Sequence, residues 1–226
     1  MFIDRSQSVY VGNLGPVPLY LHWSFLILLY LLWPGRGLDT QTMLIYVMVV
    51  LAGIVLHELG HALAARAQGM FGVTITLWAL GGLCESRGDR PPVRQIIILI
   101  AGPAVSFLLA GGSHLALEYV IRAHPDWLGS GSQPSVLYWV LSFGYFANLM
   151  IGIFNILPIF PLDGGQIVYN VASLMTKEIT ARRIAMFVAV IGAIAYVAWQ
   201  THQAGGEFAW QTALFMAFLL FNAYNY

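Results

Sequence analysis

Six long apolar runs organise this chain: residues 16–33, 43–66, 95–121, 136–157, 182–200 and 208–223. A helix needs about 20 mainly apolar residues to cross the hydrocarbon core of a bilayer. The pattern therefore predicts an all-α polytopic membrane protein with six transmembrane helices. The stretches 34–42, 122–135 and 201–207, rich in Gly, Pro and polar residues, read as loops. Two places break the helical pattern. Residues 73–86, Val-Thr-Ile-Thr-Leu-Trp-Ala-Leu-Gly-Gly-Leu-Cys-Glu-Ser, open on a β-branched run and hold the pair Gly81–Gly82. That predicts a hairpin, a small β element near the cytoplasmic membrane surface. Residues 155–165 carry two prolines and two glycines where the fourth run ends. The helix must unwind there, and unwound backbone at membrane depth persists only against protein or a water-filled cavity.

Composition narrows the picture. Hydrophobic residues make up 59% of the 226 and charged residues 9%, against roughly 25% charged in a soluble domain. A soluble single-core reading fails, and the whole chain, 1–226, reads as one transmembrane domain without an appended soluble module. The first residues lack a signal-peptide cleavage pattern, so the first apolar run is expected to remain in the mature protein. The formal net charge is +0, which offers no concentrated basic face for nucleic acid. The single cysteine, Cys84, excludes an internal disulfide framework and paired-cysteine zinc signatures. Alternate loops hold Arg5, then Arg66, Arg87, Arg90 and Arg94, then Lys177, Arg182 and Arg183; the other set holds Arg36 and Arg122. Positive loops stay cytoplasmic. Both termini are therefore expected in the cytoplasm, as an even number of spans also requires.

Within the second run, His57-Glu58-Leu59-Gly60-His61 matches H-E-x-x-H. On a helix the two histidines project from one face toward a single ion, and Glu58 can reach a metal-bound water. Zinc lowers the pKa of such water to about 7, and a neighbouring carboxylate can take its proton as a carbonyl is attacked. Two His and a Glu inside an apolar helix are costly, about 2.5–3.5 kcal/mol for a charge near the bilayer centre, so they point to function. A polar packing network would not require this spacing. Catalytic zinc takes three protein ligands and leaves a fourth position to water. Asp163, in the unwound stretch and at similar expected depth, is the candidate third ligand; the alternative is that it caps the helix after it.

Taken together, these residues resemble the site-2 protease family of intramembrane zinc metalloproteases, where H-E-x-x-H on one helix pairs with N-x-x-P-x-x-x-L-D-G on another. Here the second motif reads Asn155, Pro158, Leu162, Asp163 and Gly164. The stretches Gly15-Pro16-Val17-Pro18 to His22-Trp23, Gly81–Gly82 and Ala101-Gly102-Pro103 extend the resemblance over most of the chain. It implies one Zn2+ per chain on His57, His61 and Asp163, Glu58 as general base, and Asn155 contacting the scissile carbonyl or its oxyanion. It also implies transmembrane protein or peptide substrates and a role in regulated intramembrane proteolysis. One departure is Ser106, where many members carry Asn. A local packing or substrate contact is expected to differ there, without touching the zinc set. Family members often add PDZ or CBS domains, and none is expected here.

Asn148 lies two helical turns before Asn155 and so shares its face, which suits a substrate-lining position or an interhelical hydrogen bond. The hairpin, with Gly81 and Gly82, is a candidate substrate contact. An extended peptide can add to its edge by β-augmentation, or the hairpin simply shields the site. His22, His114 and Glu118 receive no role. Cys84 reads as a small buried residue, and Trp23, Trp33, Tyr119, Trp199 and Trp210 read as interface anchors. Glu58 precedes Arg66 by about 12 Å of helix, placing the zinc inside the apolar layer with a polar channel open to the cytoplasm. The rival readings are a zinc or proton transporter, for which neither an internal repeat nor a second broken helix is found, and a metal-free inactive adaptor, which the intact ligand set opposes. Membrane type is expected to be the plasma membrane of a prokaryote; nothing in the sequence fixes an oligomeric state.

Overall fold

The computed structural model describes residues 7–31, 39–79, 81–130, 133–203, 205 and 208–224. Arg5, Trp33, Arg36 and residue 80 of the expected hairpin lie outside the described residues. The chain is mostly helical with a small four-stranded sheet. It divides into two compact units, Met1–Asp89 with Ala101–Gly152, and Arg90–Ile100 with Ile153–Tyr226.

In the first unit β1 (Ser8–Leu14) and β2 (Val17–His22) form an antiparallel hairpin in which Leu14 opposes Val17. Gly15 makes the turn at φ +59, a left-handed conformation that a side chain disfavours. β2 runs parallel to β3 (Phe71–Trp78), with Leu19, Tyr20 and Leu21 opposite Ile75, Thr76 and Leu77. β3 pairs antiparallel with β4 (Gly81–Arg87), completing the order β1-β2-β3-β4. Parallel strands need a long crossover. This one contains α1 (Phe25–Leu31) and α2 (Thr40–Ala67), and α2 packs on β3 and β4.

Two sequence expectations change here. The helix expected from residue 16 begins only at Phe25, because Val17–His22 is a strand. A short apolar run does not distinguish strand from helix by periodicity; the buried centre of β3, with Ile75 fully enclosed, supplies the pairing partner that decides. The hairpin over 73–86 is present, but Trp78 opposes Gly81. The chain therefore reverses ahead of the glycine pair, which opens β4 instead of forming the turn.

α2 starts where the Asp39 carboxylate accepts from the backbone N–H of Gln41 and Thr42 and from the Thr42 hydroxyl, at 3.0, 3.1 and 2.6 Å. This satisfies orphan donors of the first turn. The Thr42 hydroxyl first, then its backbone N–H, hold the Asp39 carboxyl below its ordinary range. α3 (Pro92–Ala123) and α4 (Val136–Ile156) follow, linked by the 3-10 turn Pro125–Leu128 and the two-residue strands β5 (Gly129–Ser130) and β6 (Gln133–Pro134).

The second unit contains α5 (Asp163–Ser173), α6 (Glu178–Gln203) and α7 (Trp210–Tyr224). α6 buries Ala181, Ala185, Ala189 and Ala193, four apart on one face; such a small-residue stripe lets neighbouring backbone approach closely. Ile159, Ala193, Met216 and Leu219 form the core of this unit. Among the described residues four helices are long and apolar enough to cross a membrane: α2, α3, α4 and α6. They coincide with four of the six expected spans, and the chain is a membrane protein. The sixth apolar run forms α7, of 15 residues, shorter than the 20 or so that a full crossing needs.

Candidate metal centre

His57, Glu58 and His61 lie within about one turn of α2 and are all buried. The i, i+4 spacing brings His57 Nε2 to 3.1 Å from His61 Nε2, with the rings nearly perpendicular at 82°. Two nitrogens bound to one zinc at about 2.0–2.1 Å and a tetrahedral angle lie about 3.3 Å apart, so the observed pair fits a shared ion. Ligand-capable atoms of the three residues all fall within 4.8 Å of one another. Among the described residues this is the one group of His, Cys, Asp and Glu gathered closely enough to hold a metal.

Glycines create the space. At Gly60, α2 meets α3 so closely that a Cβ would sit 2.8 Å from the Ala101 carbonyl oxygen and 2.9 Å from Val105 Cγ2. A side chain at Gly102 would fall on the His61 imidazole and reach 2.8 Å from His57 Nε2. One turn further along α3, Ser106 is fully buried with its Oγ 3.0 Å from His57 Nδ1. The expectation that position 106 stands clear of the zinc set is therefore corrected. The Gly102–Ser106 spacing of four was the available signal: it places both residues on the face of α3 that receives the histidine pair. From the sheet side, a side chain at Gly82 would overlap Glu58, with Oε1 2.7 Å away. The first strand residues of β4 thus lie directly on the glutamate, and the space left at Gly82 is filled by Glu58.

Asn148, on α4, is buried and donates from Nδ2 to the Gly144 carbonyl of its own helix at 2.8 Å. Its Oδ1 has no hydrogen-bond partner among the described residues. It faces Gly53 of α2, where a Cβ would lie 2.8 Å away, one turn before His57. Such Cα–H contacts recur between close helices. Asn155 lies in the last turn of α4, and Asp163 is the first residue of α5, both in the second unit. The N-cap of α5 is Leu162, so Asp163, which is buried, does not occupy the capping position. A buried carboxylate needs a charged, hydrogen-bonding or metal partner. The break between α4 and α5 is as expected. Side chains at Gly164 and Gly165 would run into the backbone of Ile156 and Leu157 and of Ile159 and Phe160 respectively, so α5 rests directly on the unwound segment.

The residues left without a role serve structure. His22 Nδ1 lies 2.7 Å from Ser24 Oγ, which accepts from the Ala79 N–H at 3.2 Å, tying the end of β2 to the hairpin. Glu118 bridges His114 at 3.5 Å and Arg122 at 3.1 Å along α3, all well exposed. Cys84 is half-buried in β4.

A helix-borne H-E-x-x-H cluster beside a small sheet, in a chain with membrane-length helices, defines a narrow class, and comparison with known proteins agrees. The model of Peptidase family M50 matches residues 45–124 and 130–199. The chain belongs to that family. Rip3 of Mycobacterium tuberculosis is 30% identical over 176 residues, covering 72% of this chain and 43% of its own length. The zinc metalloprotease MJ0392 of Methanocaldococcus jannaschii is 29% identical over 186 residues, covering 80% of this chain and 50% of its own. The chain spans about half the length of the curated relatives it matches. The solved structure of the site-2 protease from Methanocaldococcus jannaschii superposes with a TM-score of 0.62 at 23% identity, covering 96% of this chain and 94% of that one; the two share a fold.

Proposed function

We propose that the chain is an intramembrane zinc metalloprotease that hydrolyses peptide bonds of transmembrane proteins within or near the bilayer, in regulated intramembrane proteolysis. The observation that carries this reading is the buried His57–Glu58–His61 cluster on a helix long and apolar enough to cross a membrane. His57, His61 and Asp163 would hold one zinc, leaving a position for water. Zinc there supplies a lowered water pKa and a polarised scissile carbonyl. Glu58 accepts a proton from the attacking water at its carboxylate as the C–O bond forms. It returns that proton to the departing amine nitrogen as the C–N bond breaks. Asn155 donates from its side-chain amide to the oxyanion. A transporter would need successive ionisable groups along a path, and the clustering of three on one helical turn favours hydrolysis over relay.

Substrate is held, in this reading, by strand addition to β4, the outer strand beside Glu58, with Gly81, Gly82 and Asn148 lining the site. A helix unwound for cleavage exposes N–H and C=O groups, each costing several kcal/mol unless paired, and a sheet edge supplies partners. The loop charges put Arg66, Arg87, Arg90 and Arg94 in the cytoplasm. The parallel pairing of β2 with β3 supports an N-terminus on that same side, because both ends of the crossover lie at one sheet. In this reading both termini are cytoplasmic, in the plasma membrane of a prokaryote.

The test is to purify the full chain in detergent, quantify zinc, and compare cleavage of a transmembrane peptide by wild type and Glu58→Gln. One zinc per chain is expected in both. Turnover should fall roughly 10²- to 10⁴-fold in the variant. A wild type that lacks zinc, or a variant that cleaves as fast, overturns the assignment.

A further inference from the structure

We infer that Ser106 is a positioning residue for the metal: its hydroxyl oxygen accepts the His57 Nδ1 proton and so turns the Nε2 lone pair toward the ion. This rests on the metal-site reading above. A neutral imidazole carries its proton on one nitrogen, and the hydrogen bond made by the other ring atom selects which. A serine hydroxyl can donate or accept, so the 3.0 Å contact alone permits either tautomer. The spacing of the histidine pair decides between them. With His57 Nε2 and His61 Nε2 3.1 Å apart around a shared cation, both need lone pairs there. The His57 proton must then sit on Nδ1, where Ser106 receives it.

The surroundings make this hydrogen bond hard to replace. Ser106 is completely enclosed, so solvent offers no substitute acceptor. Gly60 sets the helix separation against Ala101, and Gly102 removes the side chain that would otherwise push the imidazoles apart. Gly102 and Ser106 thus act on α3 as a matched pair, the first leaving room for both rings and the second fixing the rotation of one. Deleting the hydroxyl removes the hydrogen bond at Nδ1, and loss of such an outer-sphere partner typically lowers metal affinity roughly 10- to 100-fold.

The experiment uses the full chain in detergent. Zinc affinity is measured by chelator competition, the cobalt(II)-substituted site by its visible absorption, and the metal-free protein by thermal melting. Ser106→Ala should bind zinc roughly 10- to 100-fold more weakly, with an altered cobalt spectrum and unchanged metal-free melting. Ser106→Thr should restore most of the affinity, and Ser113→Ala, the same change farther along α3, should have no effect. An affinity and cobalt spectrum in Ser106→Ala equal to wild type overturns the inference while leaving the metal site standing. So does a loss of affinity matched by loss of metal-free melting that threonine fails to rescue, since that describes packing alone. A wild type that binds neither zinc nor cobalt removes the site itself, and the inference with it.

Discussion

The histidine face of α2 and the break between α4 and α5 are built on opposite principles. On α2 the backbone is a regular helix, and the functional geometry comes from side chains: His57 and His61 converge because they are four apart. Of the glycines nearby, Gly102 makes room for the two imidazoles and Gly82 for Glu58, both from neighbouring elements, while Gly60 sets the close approach of α2 to α3. At the break the backbone itself is the device. Residues 157–162 leave the helical path, and Gly164 and Gly165 rest on the main chain of Ile156 to Phe160. The lesson is that glycine protects ring positions in one region and chain direction in the other, so the same substitution should fail in two different ways.

The largest effect expected is on metal content. His57→Ala should abolish bound zinc, and Asp163→Ala should do the same if the break exists to present that carboxylate; elemental analysis decides. Full zinc in Asp163→Ala would separate the two regions functionally. Chelation should remove activity while leaving the helical circular dichroism signal, because helices of 21 to 32 residues such as α3 and α4 do not depend on the ion.

Next come the glycines. Gly164→Ala meets backbone, which cannot swing aside, and should destabilise by about 1–3 kcal/mol or more as overpacking does, seen in thermal melting. Gly102→Ala meets the rotatable imidazoles of His61 and His57. It should lower zinc affinity with a smaller change in melting. Equal losses of stability in both would collapse the distinction drawn above.

A subtler contrast lies within the sheet. β3 pairs on both sides, so proline there disrupts the sheet and says nothing about substrate. Prolines stepped through β4 should alternate: those whose N–H faces β3 lower stability, those facing away slow cleavage with zinc retained. Uniform indifference of turnover would end the strand-addition reading. The smallest effect concerns Asp39. Its carboxyl titrates below 3.8 when folded, so its contribution to α2 is fully present above that value and is lost as pH falls through the lowered one. Asp39→Asn should flatten the acid limb of a melting-versus-pH curve slightly, with zinc content at neutral pH unchanged.

Much of this was legible because helices are periodic. Four apolar runs coincide with α2, α3, α4 and α6, and the spacing of His57 and His61 was enough to bring the two imidazoles and Glu58 into one cluster. Prolines and glycines after Asn155 announced the end of α4. What escaped was long-range. Val17–His22 is apolar throughout, and only its pairing with β3, remote in sequence, makes it a strand; the Gly15–Pro16 turn was the local hint. Ser106 looked like a departure from a family pattern, because contact with His57 depends on how α3 lies against α2. Gly81 and Gly82 suggested a turn from local preference, whereas packing over Glu58 explains the second of them.

The parallel pairing of β2 with β3 also constrains the order in which the protein can assemble. β1 and β2 are synthesised first and form a hairpin whose inner edge has no strand to meet until α2 has been made and β3 has followed it. Pairing across so long a segment carries a loop-closure cost that local contacts do not. Completion of the sheet is therefore a late event that reports the arrival of the histidine helix. In hydrogen exchange during refolding, protection of Leu19 to Leu21 should appear together with that of Ile75 to Leu77, and after the interior of α2.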